Sequence, residues 1–160
     1  MQSGGHRHAH GWTPNWRERL EYQLCRMNNQ QRLISILMLQ SLSNKQGQHV
    51  YLMEQVTPIF NWASMTFKHH KIVGSEYLDY EYPSGAIVKG LRHEDIENMS
   101  FPDNQLDLII SNDVFEHVPN PPKAFAECAR VLKVGGIMLA TIPFHRDNDE
   151  TVIRARLHNG

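Results

Sequence analysis

The stretch Leu106-Asp107-Leu108-Ile109-Ile110 is a near-continuous apolar run broken only by Asp107, and no other feature constrains the fold as tightly. A strand apolar on both sides must be covered on both. That is the situation of an interior strand in a parallel sheet with helices above and below it. Phe101-Pro102-Asp103-Asn104 is a turn before this strand. Asn120-Pro121-Pro122 then opens a helix, with a capping side chain and proline's fixed φ. The spacing puts Phe125, Cys128, Ala129 and Leu132 on one face of that helix, has Gly135-Gly136 end it, and makes Ile137–Ile142 the next strand.

The same alternation runs upstream. His49–Met53 is a short apolar run of strand type. Thr57-Pro58 starts a helix that should end near Lys68-His69-His70, where cations suit the negative end of the dipole. Lys71–Ser75 reads as a second strand. Tyr77–Gly90 reads as a loop around Pro83-Ser84-Gly85, with a short strand at Ala86-Ile87-Val88. Leu91-Arg92-His93 reads as a third main strand. Strands alternating with helices predict βαβ units, hence an α/β fold with a mostly parallel sheet.

Ahead of this core, residues 1–15 are rich in Gly, His and Ser and predict a disordered tail, with His6, His8 and His10 solvated rather than holding a metal. Residues 16–47 predict a helical cap. Trp16, Leu20, Leu24 and Met27 form one stripe, Asn28-Asn29 interrupts it, and a helix from Gln30 to Leu42 turns Leu33, Ile34, Leu37 and Met38 inward. Trp12, Trp16 and Trp62 are read as packing residues, while Tyr22 and Arg26 stand where a cap would touch substrate. Residues 48–160 make the core.

Composition narrows the functional classes. The net charge of −1 gives no electrostatic case for nucleic acid or an anionic membrane. Leu33–Leu39, the longest apolar-rich run, is far too short to span a bilayer. Met1–His10 has no apolar core of a signal peptide, so a cytoplasmic chain is expected. Cys25 and Cys128 form no CxxC pair, which argues against a zinc site, and Cys128 is expected as a free buried thiol.

Ligands of open parallel sheets bind outside the carboxyl ends of the strands. Those ends carry Glu54, Glu76, Glu94-Asp95 and Asn112-Asp113, about one βα unit apart. A carboxylate after the second strand can accept hydrogen bonds from both hydroxyls of a ribose. One after the third can accept from an exocyclic adenine amine. Together they describe a nucleoside pocket.

The segment FPDNQLDLIISNDVFEHVPNPPKAFAECARVLKVGGIMLATIPF, Phe101–Phe144, resembles the second half of class I S-adenosylmethionine-dependent methyltransferases of the methyltransferase type 11-like kind. Val73–Leu78 resembles their second strand with its ribose acid, and His93–Ile96 their adenine-side motif. The resemblance implies a Rossmann-like three-layer sandwich, incomplete at its C-terminal edge and preceded by N-terminal helices. It implies S-adenosylmethionine as cofactor, with Glu76 at the ribose, Asp95 at the adenine amine, Ile96 on the ring, Ser75 beside them, and Asn112 and Asp113 near the methionine part. It also implies no resident metal.

The family carries an acid followed by alternating glycines after its first strand. Here the stretch is Glu54-Gln55-Val56-Thr57-Pro58-Ile59-Phe60, with the acid and no glycine. A helix start capped by Thr57 can still point free N–H groups at the donor carboxylate. Glu54 and Thr57 therefore stay in the predicted cofactor set.

The protein's task in such a reaction is to align acceptor and methyl, and to take a proton if the acceptor is a hydroxyl. His117 is the predicted base, with Asp113 and Glu116 near it in sequence, and His145 is a second candidate. The expected function is methyl transfer to a small-molecule acceptor, and the alternative is a non-catalytic methyltransferase-like binding module. A nicotinamide dehydrogenase is disfavoured because no GxGxxG follows the first strand. A polar end after Phe144 leaves the last strand's edge for a second copy or a partner to cover.

Overall fold

The computed structural model describes residues 23–143. The predicted tail, Trp12, Trp16, Leu20, Tyr22, His145 and the stretch after Pro143 lie outside them.

Four parallel strands form the sheet in the order β2-β1-β5-β6: β1 His49–Leu52, β2 Lys71–Gly74, β5 Leu106–Asn112 and β6 Leu132–Thr141. β1 sits between β2 and β5, with Tyr51 opposite Val73 on one side and Ile109 on the other. Successive side chains of a strand point to opposite faces, so the sheet feeds two cores. Val50, Leu52, Leu108 and Ile110 face helices α1 (Asn29–Leu42) and α2 (Pro58–Thr66). Tyr51, Met53, Leu106 and Ile109 face α3 (Pro121–Val131). This is the expected three-layer α/β sandwich.

The helix starts follow their sequence signals. Asn28 accepts from the Gln31 N–H at 2.8 Å, and the Gln31 side chain accepts from the Asn28 N–H at 3.3 Å, a reciprocal cap on α1. Thr57 caps α2 ahead of Pro58, and Asn120 caps α3 ahead of Pro121. Both cysteines are free, and Cys128 is buried, its thiol pushed up to about 12 by that burial.

Several expectations are corrected. Residues 23–25 form a turn rather than a continuing helix, Leu24 is exposed, and Arg26 has a left-handed φ of 56°. Ile34, Met38 and Leu42, four residues apart, set the inner face of α1, which leaves Leu33 about half exposed. On α3 the inward residues are Ala124, Cys128 and Val131. Phe125 stays partly exposed and stacks on Phe115 with centroids 4.3 Å apart, and Ala129 is exposed. Gly135-Gly136 does not end α3. The helix stops at Val131, β6 begins at Leu132, and the glycines lie in a bulge between the Leu106–Leu132 and Leu108–Ile137 pairs. Gly135 takes a φ of +79° there, where glycine is at ease.

The third predicted strand does not join the main sheet. Leu91–Arg92 (β4) pairs antiparallel with Ile87–Val88 (β3), and a single bridge from Glu76 to His93 links this ribbon to the end of β2. Parallel neighbours need a long crossover, usually helical. Residues 77–90 contain no helix, and Lys89-Gly90, both at positive φ, close a tight hairpin instead.

One glycine in β2 is required by packing. A Cβ on Gly74 would lie 2.5 Å from Phe60 Cε2 and 3.1 Å from Gln55 Cβ. Gly74→Ala is therefore expected to destabilise the fold by about 1–3 kcal/mol through overpacking. Urea melts should show the loss, and Phe60→Leu in the same chain should recover part of it. An unchanged midpoint would refute the contact.

Candidate functional site

At the carboxyl end of β1, Glu54 reaches across to β5. One of its oxygens accepts from the Asn112 backbone N–H at 2.9 Å and from Asn112 Nδ2 at 2.6 Å. These bonds tie the tips of the two central strands. Asn112 Oδ1 is buried there with no hydrogen-bond partner among the described residues. Burial pushes the Glu54 carboxyl up to about 7, the Asn112 bonds oppose the rise, and the charges of Glu76 and Asp113 add to it.

That shift gives a pH prediction with a definite sign. The folded protein keeps a proton on Glu54 that the unfolded chain gives up above its ordinary value of 4.5. The Glu54 contribution to stability is therefore complete below about pH 4.5 and is lost as pH rises through about 7. Glu54→Gln, which stays neutral, should lack this decline. Denaturant melts of both proteins at about pH 5 and about pH 8 check it, because the variant should gain on the parent at the higher pH. Parallel profiles would contradict the raised carboxyl.

Glu76, at the end of β2, uses Oε1 to accept from the N–H groups of Gln55 and Val56, at 2.7 and 2.8 Å. The turn that lacks the family glycines is thus held by the predicted ribose acid. The Thr57 hydroxyl accepts from the Phe60 N–H and donates to the Glu54 carbonyl, so it is committed to the start of α2. Asp113 has a left-handed φ of 54° and is held from β6: its N–H donates to the Thr141 carbonyl, and its Oδ1 accepts from Thr141 Oγ1 at 3.1 Å. Gln30 of α1 also donates to that oxygen at 3.5 Å.

The other predicted residues separate. Ser75 is buried, with its hydroxyl bonded to the Tyr51 hydroxyl at 2.6 Å, so its side chain faces the core and not the cleft. Asp95 forms a local turn by accepting from the Glu97 N–H, and Ile96 is buried in the α3-side core. Glu116 and His117 are exposed on a short 3₁₀ turn, Phe115–His117, just past Asp113. Glu94 is fully buried and accepts from Arg92, the Ser100 hydroxyl and the Ser100 N–H, a structural knot at the edge of the ribbon.

Reasoning from sequence missed the Glu54–Asn112 bridge, for which the equal offset of the two residues past paired strands was the available signal. It placed His93 in the adenine-side motif and gave it no contact of its own. This buried ring accepts the Leu78 N–H on Nδ1 and lies against Tyr77, centroids 5.4 Å apart. No group of three or more His, Cys, Asp or Glu suited to a metal occurs among the described residues. Nor is any helix among them long and apolar enough to cross a membrane.

A parallel sheet between two helical layers, with polar side chains gathered at its carboxyl edge, is a Rossmann-like α/β fold. Residues 37–140 match the family described as Methyltransferase domain, and the chain belongs to that family. It is 31% identical over 72 residues to a probable S-adenosylmethionine-dependent methyltransferase of Mycolicibacterium smegmatis, covering 41% of this chain and 28% of that protein. Among solved structures, a SAM dependent methyltransferase from Aquifex aeolicus aligns with a TM-score of 0.54 at 16% identity, over 73% of this chain and 68% of that one. The [4+2]-cyclase SpnF aligns with a TM-score of 0.52 at 17% identity, over 74% and 48%. At these identities the two structures show a shared fold, and the cyclase shows that the fold alone does not decide the reaction. The chain spans less than a third of its curated relative.

Proposed function

We propose that this chain binds S-adenosylmethionine across the tips of β1, β2 and β5 and directs its methyl group to a small-molecule acceptor. The observation that carries this reading is the gathering of Glu54, Glu76 and Asn112 at adjoining strand tips, with Glu54 bonded to Asn112 and Glu76 to the Gln55–Val56 turn. The residues fit the group. Glu76 spends one oxygen on the turn, which leaves the other for ribose hydroxyls. The orphaned Asn112 Oδ1 needs a donor of the kind an ammonium supplies.

When bound, the sulfonium supplies an activated methyl, so no protein nucleophile is required. Asp95 and Ile96 would border the adenine, and the Thr57-capped start of α2 would face the donor carboxylate. Asn112 and Asp113 would floor the methionine end. His117, exposed beside Asp113 in sequence, would take the proton of a hydroxyl acceptor.

Calorimetry of the whole chain with S-adenosylmethionine and with S-adenosylhomocysteine tests the reading. Saturable binding of both is expected. If neither binds at millimolar concentration, the reading fails.

A further inference from the structure

A second cleft, of about 590 Å³, opens on the far side of the Val56–Pro58 turn. Leu24 and Arg26 form one wall, and Val56, Pro58, Trp62 and Met65 form the other. Leu24, Val56 and Met65 are each more than 60% exposed. Single exposed apolar side chains are ordinary, but here two separate elements direct several of them into one concavity. Arg26 sits on the rim. No carboxylate among the described residues forms an ion pair with it, while the other arginines of the ribbon and α3, Arg92 and Arg130, are paired. Its left-handed backbone is a costly conformation for a non-glycine residue, of the kind concentrated at functional positions.

Side-chain chemistry divides the two sides of the turn. The acidic side chains Glu54 and Glu76 are bound into the strand-tip side of the turn by Asn112, Gln55 and Val56. The charged group lining the second cleft is a cation. Val56 and Thr57 belong to both sides, so a molecule in the second cleft abuts the region assigned to the donor.

We propose that this second cleft holds the acceptor, and that the acceptor is an apolar molecule bearing a carboxylate. Arg26 pairs with the carboxylate, and Leu24, Val56, Trp62 and Met65 enclose the apolar body. The acceptor role rests on the methyl-transfer reading, whereas the affinity for an apolar acid does not.

The test titrates the whole chain with decanoate, decanol and decylamine, each in the absence and presence of S-adenosylhomocysteine. Decanoate should bind about three- to fivefold tighter than decanol, as one charge-assisted contact at an exposed site allows, and decylamine more weakly than either. Arg26→Gln should bring decanoate down to the level of decanol without moving the melting temperature. Met65→Asn, at an exposed wall position, should weaken decanoate and decanol alike. Decanoate and S-adenosylhomocysteine should bind together.

Equal affinities for decanoate and decanol overturn the proposal. So does an unchanged Arg26→Gln, or displacement of S-adenosylhomocysteine by decanoate. Tight decanoate binding that appears only after residues 1–22 are removed also overturns it, since that segment then fills the cleft. If decanoate binds and S-adenosylhomocysteine does not, the methyl-transfer reading falls and the acid site stands. The reverse result removes the acid site alone.

Discussion

Glu76→Ala should weaken S-adenosylhomocysteine binding by at least about 100-fold, because the proposed ribose site places two hydrogen bonds on this one charged acceptor. The same side chain accepts from Gln55 and Val56, so the variant also releases the turn before α2. Val56 is well exposed and water can replace that bond, so the loss of stability should be small. Calorimetry and a thermal melt on the same sample separate the two effects. A large drop in melting temperature with ligand affinity retained would assign Glu76 to structure alone.

Glu94→Ala should act in the opposite way. Glu94 is buried and pairs with Arg92 at 2.7 Å while accepting both hydrogen bonds from Ser100. Removing it leaves the Arg92 guanidinium, which also lies 4.9 Å over the Phe101 ring, without its counter-charge. Removing a buried carboxylate on which three donors converge costs about 2 kcal/mol. The melting temperature should fall by roughly 10 °C. The protein that remains folded should bind S-adenosylhomocysteine as the parent does. Loss of ligand affinity without loss of stability would return Glu94 to the candidate site.

These two acids show how far the sequence could be read. Both are glutamates next to a strand end in an α/β pattern, and by spacing alone they look equivalent. What separates them is tertiary. The ribbon folds Arg92 and Ser100 onto Glu94, while Glu76 stays on the β2 tip beside the turn. The helix starts at Thr57 and Asn120 were legible because capping is a local matter of one side chain and the next three residues. The interior strand β5 was legible because burial on both faces imposes its own composition.

Leu91–Arg92 was misplaced because a two-residue strand looks the same in a parallel sheet as in a hairpin. The positive φ of Lys89 and Gly90, which decides between them, is visible in the structure and not in Lys89's identity. Ser75 was misread for a related reason. Its partner Tyr51 lies on the neighbouring strand, opposite Val73, and no periodicity along one strand reports what the next one presents.

The absence of a loop between α3 and β6 has a mechanical consequence. Leu132 begins the strand where the helix stops, and nine residues further on Thr141 grips Asp113 from the backbone and the side chain. Helix and strand join directly, and Gly135 and Gly136 lie in the bulge that follows the junction. A push on α3 from outside is either dissipated at that bulge or delivered to the floor of the proposed donor cleft. The stiffness of two glycines would then govern how well the cleft is insulated from whatever touches the helix.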